Sequence, residues 1–258
     1  MDTAIPFLIP ELESMRKYPE KLYYRGDTSL LQRPKISIVG SRRPNLYTKA
    51  LTMELARKLS MKGMVVVSGA AGGVDRIAHE GAGAEHTIAV LPCGIDLRYP
   101  SGNTQLIESI ESKGLLLSPY EPGFGARGWS FVARNEIVVA LGEALIVTEA
   151  AMGSGSMRSA EYAIAMGKPI YVLPHRLRES DGTQKLLAEG KAHAIEEIDA
   201  FVSKISGIVE EVQKDSPFIA FCRNAPTYEE VVERFPSEIF AGELAGTIEV
   251  RHGRVYVV

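Results

Sequence analysis

Residues 35–75 read KISIVGSRRPNLYTKALTMELARKLSMKGMVVVSGAAGGVD, and the pattern of this stretch decides the fold. KISIV (35–39) and MVVVS (64–68) are short, continuously apolar, β-branched runs, the signature of strands buried on both faces of a sheet. Between them, residues 47–62 carry Leu51, Leu55 and Leu59 four apart, which lines up one face of a helix. Strand, helix, strand is a βαβ unit, and its two strands must lie parallel.

The same alternation continues outward from this unit. Further apolar runs lie at 87–91 (TIAVL), 114–118, 144–148 (ALIVT) and 169–173 (PIYVL), separated by helical periodicity over 103–113, 130–141 and 154–167. The pattern predicts an α/β protein with a doubly wound, Rossmann-like sheet over residues 35–212. Residues 1–34 read as a short N-terminal extension, with two proline breaks and a Gly26-Asp27 turn. Residues 213–219 read as a linker, being polar and proline-bearing. Residues 220–258 read as a small winged-helix-like domain: helices over 227–235 and 236–245, then a hairpin of 247–250 and 254–258 around His252-Gly253.

Composition narrows the class. The chain has 258 residues, 45% apolar and 24% charged, the balance of an ordinary globular protein. Cys93 and Cys222 stand far apart in no CxxC spacing, which argues against a zinc site or a disulfide framework. The start, MDTAIPFLIPELE, is acidic where a secretory signal needs a basic region, and no apolar stretch approaches bilayer length. A cytoplasmic protein without membrane contact, metal or cofactor is expected. The net charge of −3 is unevenly spread. From residue 207 onward there are nine acidic and five basic residues, leaving 24 basic against 23 acidic in the body. Any polyanion site must therefore be a local cluster in the body.

Three glycine- and serine-rich loops follow strand ends. Gly40-Ser41-Arg42 follows KISIV, where glycine permits a sharp turn, serine donates a hydrogen bond and arginine offers a bidentate fork. Ser68-Gly69-Ala70-Ala71-Gly72-Gly73-Val74-Asp75 follows MVVVS and exposes successive amides at a helix start, a setting that favours an anion. Gly153-Ser154-Gly155-Ser156 again lies between a strand and a helix. In an open α/β sheet such loops converge on the crevice at the carboxyl ends of the strands. Neither a Walker A pattern nor a clean GxGxxG directly after a strand run is present, which weighs against nucleotide kinases and ordinary dinucleotide enzymes.

The strings IVGSR (38–42), VVSGAAGGVD…AH (66–79), TIAVLPCGIDLRYP (87–100), FVARN (131–135) and SGS (154–156) resemble the DprA/Smf family of DNA-processing proteins. The resemblance runs from about residue 18 to about 192, and GELAGTIEVRHGRVYVV at the end resembles the small winged-helix domain of many members. It implies an extended Rossmann-like domain that binds single-stranded DNA. It also implies protection of incoming DNA in natural transformation, help in loading the recombinase RecA, action as a homodimer and no catalytic residues. By motif, Gly40, Ser41, Arg42, Ser68, Gly69, Gly72 and Gly73 would hold phosphates, with Ser154, Gly155 and Ser156 beside them. Arg134 and Asn135 match the family's FPxRN motif and would add a second cation, while Phe131 would stack on a base.

The chain departs from the family pattern at several places. Val132 replaces the motif's proline, Thr48 stands where glycine is usual, Ser118-Pro119 replaces Ser-Glu, and Pro174-His175 replaces Pro-Gly. Glu136 follows Asn135 where many relatives have arginine, which predicts like-charge repulsion toward DNA. Asp75 and His79, four apart, read as structural, a helix-start cap with a packed imidazole, rather than as a metal pair. Glu149 fits either a catalytic carboxylate or an orienter of the next loop, and Trp129 reads as packing. The enzyme alternative is a nucleotide-hydrolysing Rossmann-like protein, but the PGGxGTxxE signature of such enzymes is missing. The second tail helix carries Glu238 and Glu243 with no lysine or arginine, so a protein contact is expected there rather than duplex DNA.

Overall fold

A computed structural model describes residues 3–207, 217–223, 225–251 and 253–257. The described residues divide into two compact units, residues 1–208 and 209–258, each taken separately below.

In the first unit the elements run β1 (Thr3–Ala4), β2 (Tyr23–Gly26), β3 (Lys35–Val39), α1 (Leu46–Met61), β4 (Val65–Ser68) and α2 (Val74–Ala82). They continue with β5 (Thr87–Val90), α3 (Thr104–Lys113), β6 (Leu115–Ser118), α4 (Gly128–Leu141), β7 (Leu145–Val147) and α5 (Gly155–Ala165). β8 (Ile170–Val172), α6 (Asp181–Ala188), β9 (His193–Ala194) and α7 (Ile198–Ser206) complete it. One sheet results, in the order β1-β2-β6-β5-β4-β3-β7-β8-β9. From β6 to β9 every neighbouring pair is parallel, as the βαβ alternation requires.

Helices cover both faces of this sheet, so its central strands are buried and mostly apolar. Val65 and Val67 of β4 join one core with Val138 of α4 and Ala160 of α5, while Val66 joins the opposite core with Leu55 and Leu59 of α1. The four-residue spacing of Leu51, Leu55 and Leu59 does bring one face of α1 onto the sheet, Leu51 at its margin. α3 packs through Ile107 and Ile110 against Ala89 and Leu116 farther along. No helix among the described residues is long and apolar enough to cross a membrane.

The first 34 residues are not an appendage, contrary to the reading of their prolines. β2 pairs antiparallel with β6, β1 pairs with β2, and Ile9 and Leu12 are fully buried in the main core. Lys35 fastens this segment from below: its buried ammonium donates to the carbonyls of Leu31 (2.7 Å) and Arg33 (3.0 Å) and pairs with Glu11 at 2.6 Å. Local periodicity could not show this, because the segment is held by long-range pairing.

The second unit contains α8 (Pro217–Cys222), α9 (Tyr228–Arg234), α10 (Pro236–Leu244) and a hairpin of β10 (Ile248–Arg251) with β11 (Arg254–Val257). Thr227 caps α9 in a reciprocal capping box with Glu230. Phe218, Cys222, Val231, Ile239, Ile248 and Val255 form its core. The expected linker is corrected at its end, since residues 217–219 are helical and Phe218 is buried; residues 213–216 and His252 lie outside the described residues.

Candidate nucleic-acid interface

The chain leaves β3 toward β4, β5 and β6 on one side and returns to place β7, β8 and β9 on the other. The reversal point lies between β3 and β7, and ligands of such sheets sit outside the carboxyl ends of the strands there. A cleft of about 530 Å³ opens at that point. Gly40, Ser41 and Arg42 line it from β3, Ser154, Gly155 and Ser156 from the loop after β7, and Phe131, Arg134 and Asn135 from α4.

Arg42 is exposed, and no carboxylate among the described residues lies at ion-pair distance. Its guanidinium carbon stands 5.1 Å from the centre of the Phe131 ring. Phe131 meets the edge of Tyr99 at 5.6 Å, and Tyr99, 43% exposed, also lines the cleft. Facing these groups is the N-terminus of α5, where Ser154 caps the amide of Met157 and leaves the preceding amides toward the cleft. Asn135 ties the two sides by donating to the carbonyl of Gly155 at 3.4 Å.

The loop after β4 is differently arranged from its sequence reading. Ser68 is fully buried and donates to the carbonyl of Ile38 (2.7 Å), so its side chain is part of the sheet packing. The loop amides are largely taken up within the protein: Ala70 donates to His79 Nε2 (3.3 Å), Ala71 to Asp75 Oδ2 (3.4 Å), and Val74 to the carbonyl of Ser41 (3.0 Å). Ala70 holds a left-handed φ of 53°, and Asn103 steadies that turn by donating to the carbonyls of Ala70 (2.9 Å) and Ala71 (3.1 Å). Gly73, at φ 81°, is confined by the backbone of Ser41 and Arg42, which a Cβ would strike. Gly73 thus shapes the Gly40–Arg42 turn and Gly69 makes room for the Arg134 side chain, while Gly69, Gly72 and Gly73 do not themselves line the cleft. The loops after β3 and β7 supply the glycine- and serine-rich lining of the cleft, with Ala71 of the loop after β4 beside them.

His79 and Asp75 serve this loop. The imidazole is fully buried and accepts from Ala70, so its Nδ1–H donates to Thr87 Oγ1 (2.6 Å), which donates to the carbonyl of Val66. Burial pushes its pKa down to about 3, with the nearby Arg134 charge acting in the same direction. Burial raises the Asp75 carboxyl, opposed by Arg134 and by hydrogen bonds from the loop. Asp75 nonetheless lines the cleft, which its reading as a cap did not anticipate.

Arg134, expected as a second cation, does line the cleft, but from a buried position. It is 2% exposed, donates from Nη1 to the carbonyl of Val90 (2.7 Å), and its Nε has no partner. It forms the floor of the cleft. Glu149 is turned away, its Oε2 accepting from Thr48 Oγ1 (2.7 Å) and the Asn45 amide (3.1 Å). Glu149 therefore orients the start of α1. Cys93 is buried, its thiol pushed up to about 11 by that burial. Tyr99 was legible only as an aromatic within TIAVLPCGIDLRYP, and nothing local placed it beside Phe131.

A sequence model of the family described as DNA recombination-mediator protein A matches residues 2–206. The chain belongs to this family. Among its relatives, DNA processing protein DprA of Streptococcus pneumoniae is 35% identical over 194 residues, 74% of this chain and 67% of that protein. Protein Smf of Synechocystis is 36% identical, over 73% of this chain and 49% of its own length. The chain thus spans about half to two thirds of the length of these curated relatives. The structure of DNA processing protein A from Helicobacter pylori, described for its unique single-stranded DNA binding mode, superposes with a TM-score of 0.77. It is 43% identical, covering 80% of this chain and 98% of that one.

Two departures from the pattern of this recombination-mediator family have physical explanations here. Thr48, at the usual glycine position, is fully buried and supplies the hydroxyl that holds Glu149. Glu136 accepts from the amide of Arg16 at 3.1 Å and is absent from the cleft lining. Its carboxylate is directed to the N-terminal segment rather than into the cleft.

Proposed function

We propose that this chain binds single-stranded DNA by its phosphate backbone in the cleft between β3 and β7. The observation that carries the reading is Arg42, an unpaired exposed cation beside the Phe131–Tyr99 aromatic pair and opposite the amino end of α5. Arg42 and Ser41 grip phosphates, the amides at Gly155 and Ser156 add hydrogen bonds, and Phe131 offers a base a stacking face. Arg134 lends its charge from the floor. Backbone gripping with ring stacking reads no base edge, so little sequence preference follows.

Family membership supports the wider role: protection of incoming DNA, assistance to RecA loading in natural transformation and recombination, and action in the cytoplasm as a homodimer without catalysis. The body is close to neutral, so one cleft supplies few cations and tight binding depends on assembly. The second unit, with its hairpin and acidic α10, acts as a winged-helix-like domain that contacts protein rather than duplex DNA.

Fluorescence anisotropy of labelled single-stranded and duplex oligonucleotides across a salt series tests the reading. Preference for single strands, lost in Arg42→Ala, supports it; each phosphate contact removed should flatten the log–log salt slope by about 0.7. Absence of binding at low salt would overturn it, and release of free base from nucleoside monophosphates would favour the hydrolase alternative instead.

A further inference from the structure

A second combination of arginine and aromatic rings lies on the other shoulder of α4. Tyr120 and Phe124 stack at 4.6 Å with their planes 15° apart, and Trp129 contacts both edge-on, at 5.8 Å and 5.7 Å. The guanidinium of Arg127 lies 5.7 Å from the centre of Phe124. The rings are held from beneath: Gly94 donates to the carbonyl of Phe124 (2.8 Å), Asp96 accepts from Gly123 (2.8 Å), and the Tyr120 hydroxyl donates to the carbonyl of Ser130 (3.1 Å). Yet Trp129 remains 56% exposed. An indole fixed in place and left in water is a preformed surface for another flat ring.

The charges nearby indicate what that ring belongs to. Arg127 is exposed and has no carboxylate at ion-pair distance among the described residues. The acidic neighbours are occupied, Asp96 by the Gly123 amide and Glu121 by Lys21 and Tyr23. The cluster is also continuous with the cleft, since Gly128, which precedes Trp129, lines the cleft together with Phe131 and Val132. Arginine over an aromatic ring therefore occurs on both sides of one helix N-terminus, Arg42 with Phe131 and Arg127 with Phe124.

We infer that Trp129 and Arg127 form a second station for the same DNA strand, Trp129 stacking on a base and Arg127 holding an adjacent phosphate. This rests on the reading of the cleft as a single-stranded DNA site. A strand leaving the cleft passes over Gly128, where no side chain intervenes, and continues onto the indole. The station lengthens the site without adding sequence preference, because every base has a stacking face.

Trp129 is the one tryptophan of the chain, so its fluorescence reports this position alone. Oligothymidylates of about 4 and about 20 nucleotides, lengths bracketing common single-strand site sizes, are titrated into the full chain. Anisotropy and tryptophan emission are read together. The long strand should quench Trp129 with the same midpoint as the anisotropy change. Trp129→Ala should weaken long-strand binding roughly fivefold or more, in keeping with a lost base stack, and leave the short strand unaffected. Trp129→Phe should restore most of the loss, and Arg127→Ala should weaken only the long strand. Long-strand binding with unchanged emission and no effect of Trp129→Ala would overturn the station while leaving the cleft reading intact. Equal weakening of both lengths would also overturn it. Absence of any binding at low salt removes the cleft reading, and the station with it.

Discussion

The guanidinium of Arg134 occupies the space that a Cβ on Gly69 would take. This contact joins α4 to the loop after β4 and sets where a buried positive charge lies. With Nη1 on the carbonyl of Val90 and Nε unpartnered, Arg134 is committed to the floor of the cleft, leaving Arg42 as the cation that meets solvent. Asp75 lines the same cleft and senses the Arg134 charge, so floor and loop form one electrostatic unit.

Gly69→Ala is expected to destabilise the fold by about 1–3 kcal/mol, the usual range for overpacking. Arg134 must move, and the cleft floor with it. Denaturant unfolding should show a lower midpoint with an unchanged slope, and single-stranded DNA affinity should fall alongside. A neutral substitution would show that Arg134 relocates without strain.

Phe131 and Tyr99 should behave as a coupled pair toward single strands. Phe131→Ala is expected to weaken binding by about 1–3 kcal/mol, the range for loss of a base stack. Tyr99→Ala should weaken it less, since its edge chiefly positions Phe131. In a double-mutant cycle read by anisotropy, the combined loss should fall short of the sum.

Thr48→Val leaves the Glu149 carboxylate with only the Asn45 amide of its two partners. A hydrogen bond to a charged group contributes about 1.5–3 kcal/mol, and chemical denaturation should register a loss of that order. Affinity for single strands should hardly change, because Glu149 faces α1. A selective loss of binding with stability intact would place Glu149 in the site.

His79 should make the fold sensitive to acid. Its native pKa, near 3, lies below its ordinary 6.5, so between those values the unfolded chain binds a proton that the native imidazole refuses. Its contribution to stability is therefore complete above pH 6.5 and declines as pH falls toward 3, by about 1.4 kcal/mol per pH unit. Asp75 acts in the opposite sense, since a carboxyl raised by burial favours the native state as it takes up its proton. Nitrogen NMR should show His79 neutral, with its proton on Nδ1, at pH 5. Titration near 6.5 would contradict the burial argument.

How much was legible in advance can be judged from particular residues. KISIV and MVVVS read as doubly buried strands because such strands need apolar side chains on both faces, and those positions are β3 in full and β4 without Met64. Leu55 and Leu59 read as a buried helical face for the same local reason. Arg42, directly after a strand, could be placed at the mouth of the crevice by topology alone. Other assignments depended on partners distant in sequence. Whether Arg134 projects into solvent or lies over Gly69 is settled by a contact between residues 65 positions apart. Ser68 turns inward because Ile38 offers a carbonyl on the next strand, and residues 3–34 join the sheet because β6 leaves an edge to pair. The sequence by itself determined the alternation, the buried strands and the loops available for binding. Only the tertiary structure decided which of those loop residues face the cleft, because side-chain direction at a loop follows from packing and hydrogen bonding across the sheet.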